Sequence, residues 1–181
     1  MNYPIQPVQN ILSAVVFAAQ KHTNQRRNGA AAEPYINHVV EVAELVAGAL
    51  LEPDTNLVIA ALLHDTIEDA GVTIEELTER FGVDVAQLVA EVTDDKSLPK
   101  EERKRLQVAN APRKSERAQM ITLADKIANL SSLYSSPPVG WDSERKKEYL
   151  LWCGQVVDGL AKPNSILLAE FDAVLGRLHP G

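Results

Sequence analysis

His64, Asp65, Glu68 and Asp69 close a stretch that begins Asn56-Leu57-Val58-Ile59-Ala60-Ala61-Leu62-Leu63 and stops at Gly71. The first half of that stretch is apolar on every side, which marks a helix buried all round rather than a one-faced surface helix. Carboxylates placed in such surroundings protonate or are excluded unless cations or hydrogen-bond donors compensate them. On an uninterrupted helix His64 and Glu68 are four apart, as are Asp65 and Asp69, so the four side chains form two adjacent rows one turn deep. One pair across the rows can hold a metal while the next turn offers an acid or base beside it. A capped, fraying helix end before Gly71 is the blander reading, and this stretch alone leaves it open.

Asp125 is a second anomaly, set among Met120, Ile121, Leu123, Ala124, Ile127, Leu130 and Tyr134, with Asn129 one turn further on the same face. Taken singly, it serves equally well as a structural cap, an ion-pair partner or a ligand. His38 falls in the first turn of a helix read from Tyr35 to Leu51. Two imidazoles and two carboxylates from three helices make a mixed nitrogen and oxygen site suited to Mn, Fe, Co or Zn, with positions left for water and substrate. That is a site of catalytic type. Lys21, Arg26 and Arg27 gather in a loop turned by Gly29, either solvated or facing something acidic.

The elements that must position these groups read as helices throughout. Val8, Ile11, Leu12, Val15, Val16 and Ala19 predict a helix over about 7–23. Asp54 or Thr55 caps the central helix, and Thr73 with Glu76 reads as a capping box opening a short helix that Gly82 ends. Further helices are expected over 83–92, 100–110, 142–160 and near the C-terminus, the 100–110 segment as a solvated face and the last two without obvious chemistry. No sustained period-two pattern or repeat occurs, so the expected fold class is all-α, one domain over 1–181.

A chain of 181 residues can bury a sizeable core without staples. Its single cysteine, Cys153, fits a reducing compartment and core packing, and no signal peptide or membrane span is evident, so a cytoplasmic location is expected. A net charge of −7 argues against binding long nucleic acid, but not against a small anion in a local basic pocket. Spare apolar surface on the terminal helices leaves room for a homodimer.

His38, the doublet His64-Asp65 and the distant Asp125 resemble the H…HD…D signature of the HD-domain metal phosphohydrolases. The longer context is more specific: Pro34-Tyr35-Ile36-Asn37-His38, Leu62 to Asp69, Glu91 to Lys96, Arg103 to Gln107 and Leu123 to Leu130 resemble the small stand-alone alarmone hydrolases of the Mesh type, relatives of the hydrolase half of RelA/SpoT enzymes. The resemblance runs from about Phe17 to Leu133. It implies hydrolysis of (p)ppGpp at the 3′ position, releasing pyrophosphate, with one Mn2+ ion per chain. It further implies His38, His64, Asp65 and Asp125 as metal ligands, Glu68 and Asp69 in acid–base roles, and Arg27, Tyr35, Lys126 and Asn129 on the nucleotide and its phosphates.

Three positions depart from the family pattern. Asn28 replaces a common Lys, Val39 a common Pro, and Ala128 a larger side chain. Asn28 and Ala128 are expected to shape the base pocket, and so to choose between the alarmone and another nucleotide phosphate. A catalytically silent nucleotide-binding module is the remaining alternative, disfavoured because Glu68 and Asp69 stand beside a full ligand set.

Overall fold

The computed structural model describes residues 5–178, and among them the structure is all-α, with only two isolated bridges, Arg26 to Pro34 and Gly29 to Pro138, pinning the cationic loop. The helices are α1 (Ile5–Lys21), α2 (Ile36–Gly48), α3 (Thr55–Leu63), α4 (Thr66–Ala70), α5 (Ile74–Phe81), α6 (Val83–Val92), α7 (Lys100–Asn110), α8 (Glu116–Ser135), α9 (Ser143–Asp158) and α10 (Ser165–Leu178), with a single 3-10 turn at Ala111–Arg113. No helix among the described residues is long and apolar enough to cross a membrane.

The centre of the molecule is α3 and α8. Leu57 and Ile59 to Leu63 are all buried, as the all-round apolar stretch requires, and α3 is covered by α1, α2 and α6. α8 packs against α2 and α10 and buries Ile121, Leu123, Ala124, Ile127, Ala128 and Leu130. Capping follows the sequence: Asp54 accepts from the Leu57 amide at 3.0 Å and Thr73 from the Glu76 amide at 3.1 Å, each satisfying an N–H that the helix start leaves free. In α1 the inward face is not the full expected set. Ala14, Phe17 and Ala18 are buried, whereas Val8, Leu12 and Val16 are exposed, because the helix presents only one side to α3.

The largest local departure is at the centre. The stretch expected to be one helix is two, since α3 ends at Leu63 and α4 begins at Thr66. Two side chains take over carbonyls that a continuing helix would use: His64 Nδ1 lies 2.8 Å from the Ala61 oxygen, and the Thr66 hydroxyl donates to the Leu63 oxygen at 2.7 Å. Asp65 sits at φ −97°, ψ −1°, between the helices. Gly71, at φ 66°, then ends α4 in the left-handed conformation that glycine adopts without a side-chain penalty. The core that sets this break is sensitive to volume. Leu63→Ala, at a fully buried position, is expected to cost about 3 kcal/mol, read as a lower urea midpoint.

Candidate active site

The break in the central helix makes the site. Consecutive residues on a straight α-helix point about 100° apart and do not face each other. At the α3–α4 junction His64 Nε2 and Asp65 Oδ2 come within 3.0 Å. The predicted side-chain rows of one continuous helix are therefore replaced by a corner, with Glu68 and Asp69 following on α4. α2 supplies His38, whose Nε2 is 3.6 Å from Asp65 Oδ2 and 3.2 Å from Asp125 Oδ1. α8 supplies Asp125, whose Oδ1 is also 3.8 Å from His64 Nε2. One donor atom from each of His38, His64 and Asp65 lies within 4.8 Å of the others.

The chemistry of this donor set calls for a positive charge at its centre. A carbonyl only accepts, so His64 Nδ1 must carry the proton it gives to Ala61, which leaves Nε2 toward the carboxylates as the atom that takes up either a proton or a cation. His64 Nε2 is buried and has no hydrogen-bond partner. Burial opposes charge on His64, yet the Asp65 and Asp125 carboxylates outweigh it and raise the ring well above the ordinary histidine range. Burial likewise opposes charge on Asp125, but Lys126, His38 and His64 hold it well below the usual carboxylate range. A divalent cation satisfies these groups together, and two imidazoles with two carboxylates are a set that such an ion accepts.

Tyr35 caps this cluster. Its hydroxyl donates to Asp65 Oδ2 at 2.6 Å, and burial, then Asp65 itself, push the phenol far above its ordinary range, so it remains a donor. Tyr35→Phe is expected to weaken metal affinity by about 10- to 100-fold, as loss of a hydrogen bond to a ligand usually does. Metal titration with an unchanged melting temperature checks this.

Around the cluster opens a cleft of about 790 Å³ lined by Asp65, Glu68, Asp69 and Asp125 and also by Arg27, Tyr35, Lys126 and Asn129. Asn129 donates to Asp125 Oδ1 at 2.7 Å, and Lys126 Nζ is 3.0 Å from Asp125 Oδ2. Arg27 spans Glu41 and Asn129, 3.3 Å from each. All ten residues singled out in the sequence thus gather at one place, although His38 and His64 lie beneath the cleft floor.

Other expectations need correction. Asn28 lines the cleft, but Ala128 is fully buried in the core and cannot shape a base pocket; only its carbonyl, 3.4 Å from Arg27, reaches toward the site. The α7 helix is not merely a solvated face. Arg103 Nη1 meets Glu68 Oε1 at 3.3 Å, and Gln107 donates to Asp94 Oδ2 at 2.6 Å. Burial, then the Asp94 and Asp65 carboxylates, push Glu68 up to about 7.

The helix α9, expected to carry no chemistry, forms a wall with Arg145, Tyr149 and Trp152, joined by Trp141 from the preceding loop. Arg145 stacks on Trp141 at 4.6 Å, Lys126 Nζ lies 4.5 Å from the Trp152 ring centre, and the Trp152 indole N–H donates to the Lys104 carbonyl at 3.2 Å. A signal existed: both tryptophans fall within residues 141–152, and Arg145, Tyr149 and Trp152 are spaced four and three apart, on one helix face. Cys153 behind them is buried, and burial pushes its thiol up to about 12, in keeping with core packing.

An HD domain model matches residues 14–151. The chain is 49% identical to guanosine-3′,5′-bis(diphosphate) 3′-pyrophosphohydrolase MESH1 of Xenopus tropicalis over 162 residues, 90% of either chain. It is 38% identical to the guanosine-3′,5′-bis(diphosphate) 3′-pyrophosphohydrolase of Aquifex aeolicus over 151 residues, 81% of this chain and 20% of that longer one. Among solved structures it is similar to a metazoan ortholog of SpoT that hydrolyzes ppGpp and plays a role in starvation responses, with a TM-score of 0.91, 41% identity and coverage of 98% of both chains.

Proposed function

The chain belongs to the HD domain family, and from that premise we propose that it is a guanosine-3′,5′-bis(diphosphate) 3′-pyrophosphohydrolase, hydrolysing (p)ppGpp to pyrophosphate and GDP or GTP. The observation that carries this reading is the placing of Glu68 and Asp69, two carboxylates held by Arg103, Gln25 and Lys96 and lining the cleft, at the rim of a His and Asp cluster and among cations. A binding module has no use for them. A cleft of about 790 Å³ suits a small-molecule substrate, and the domain is read as one unit over 1–181.

His38, His64, Asp65 and Asp125 would hold one Mn2+ ion. Such an ion, when bound, neutralises charge on the phosphoryl oxygens and lowers the pKa of water. Lys126, Arg27 and Asn129 orient the 3′-diphosphate, with Tyr35 fixing Asp65 beneath it. Glu68 takes a proton from the attacking water, an oxygen–phosphorus bond forms, and the bond from phosphorus to the ribose 3′ oxygen breaks. Asp69 takes up that proton from Glu68 and delivers it to the leaving oxygen, so both carboxylates are restored and GDP and intact pyrophosphate depart. Trp141, Tyr149 and Trp152 offer flat faces suited to a base, and Arg145 and Lys104 charges suited to the 5′ phosphates.

The test is to strip the protein of metal, restore Mn2+, add ppGpp and separate the products by ion exchange. GDP and pyrophosphate appearing only with metal is the expected result. Turnover of a different nucleotide phosphate with ppGpp left intact would move the substrate assignment elsewhere in the family.

A further inference from the structure

His22, near the end of α1, is only 2% exposed and lies outside the ligand set. Its Nδ1 is 2.7 Å from Gln25 Oε1, and Gln25 Nε2 is 2.7 Å from Asp69 Oδ2. The polarity of this chain of contacts is fixed from its far end. An ionised carboxylate only accepts, so the Gln25 amide nitrogen must face Asp69. The amide oxygen then faces His22, and His22 Nδ1 carries the ring proton. Gln25 is also anchored through its backbone, its N–H donating to the His22 carbonyl at 3.0 Å and its carbonyl accepting from the Tyr35 N–H at 3.1 Å. The His22 ring packs on Tyr35 with centroids 5.1 Å apart.

Asp69 needs such a constraint. It sits on a helix of five residues, and its other oxygen, Oδ1, pairs with Lys96, a half-exposed side chain on the loop between α6 and α7. Lys96 alone would leave the carboxylate free to follow a long, mobile side chain toward solvent. Gln25 holds the second oxygen, so two donors on two oxygens fix the plane of a carboxylate that lines the cleft. An amide can turn by 180°, presenting its oxygen to the carboxylate instead; the His22 N–H removes that alternative.

We infer that His22 and Gln25 are positioning residues for the acid–base step, holding Asp69 in the orientation that delivers its proton. The inference rests on the acid–base assignment of Asp69 above. Gln25→Met, close in shape but without the amide donor, lowers kcat about 10- to 100-fold, with KM and Mn2+ affinity unchanged. His22→Leu has the same effect, and His22→Asn, whose amide can place an N–H near the Nδ1 position, recovers most of the loss. In an Asp69→Asn background, Gln25→Met produces no further loss, because the group it positions is gone. Independently of turnover, the nitrogen-15 shifts of His22 in the metal-free protein report the Nδ1–H tautomer, and Gln25→Met abolishes that preference.

An unchanged kcat in Gln25→Met, or a full additional loss in the Asp69→Asn background, overturns the inference. Should His22→Leu fail to fold, Gln25→Met carries the test alone, since Gln25 is only half-buried. Asp69→Asn with undiminished kcat removes the acid–base assignment and the inference with it, whereas an impaired Asp69→Asn beside an unaffected Gln25→Met removes the inference only.

Discussion

Glu68→Gln yields a folded protein that still binds metal and whose kcat is about 10²- to 10⁴-fold lower, the range for loss of a positioned proton acceptor. The amide keeps the shape and the bond from Arg103 becomes a neutral contact, but no proton can be taken from water. Full activity in this variant would exclude Glu68 from the chemistry. The same substitution has a pH signature in the metal-free protein. Burial, Asp94 and Asp65 push Glu68 from an ordinary 4.5 up to about 7. A carboxyl raised in this way holds its proton in the folded state, so its contribution to stability is complete below the unfolded value and is lost as pH rises through the folded one. Metal-free wild type should therefore lose melting temperature from about pH 5 to pH 8 relative to Glu68→Gln. Parallel melting curves across that window would contradict the burial argument.

His64→Ala should lose the metal and with it all measurable turnover. The variant removes a donor facing Asp65 at 3.0 Å, so its loss of affinity should exceed the roughly 10²-fold upper range for groups that merely support a ligand. It also strands the Ala61 carbonyl, at a cost of about 1–3 kcal/mol. Circular dichroism melting separates that cost from metal loss. Metal analysis that finds one ion per chain still bound to a folded His64→Ala protein would take His64 out of the ligand set.

Much of this molecule is legible in its residues. An all-round apolar run announces the buried α3, and Asp54 and Thr73 announce helix starts, because capping is a matter of a few adjacent atoms. His38, the His64-Asp65 doublet and Asp125 stand out for a similar reason, since ionisable groups among apolar neighbours demand a partner. What failed in the sequence reading failed where one helix meets another. Ala128 reads as a pocket residue, yet which side of α8 faces the core depends on α2 and α10. Arg103 reads as a solvated cation, yet the approach of α7 to α9 turns it onto Glu68.

The residue types and their spacing by themselves determined the all-α class, the donor set and the kind of chemistry it supports, because those follow from local periodicity and from the cost of burying charge. Only the tertiary structure decided how that set is assembled. It broke the central helix at His64 and Asp65, where side chains and carbonyls of the α3 end satisfy each other, and brought the doublet against His38 and Asp125. It brought the aromatic wall of α9 to the cleft and linked His22 through Gln25 to Asp69, 44 residues further along the chain. Contacts between residues so far apart depend on packing across the whole core, which no local pattern encodes.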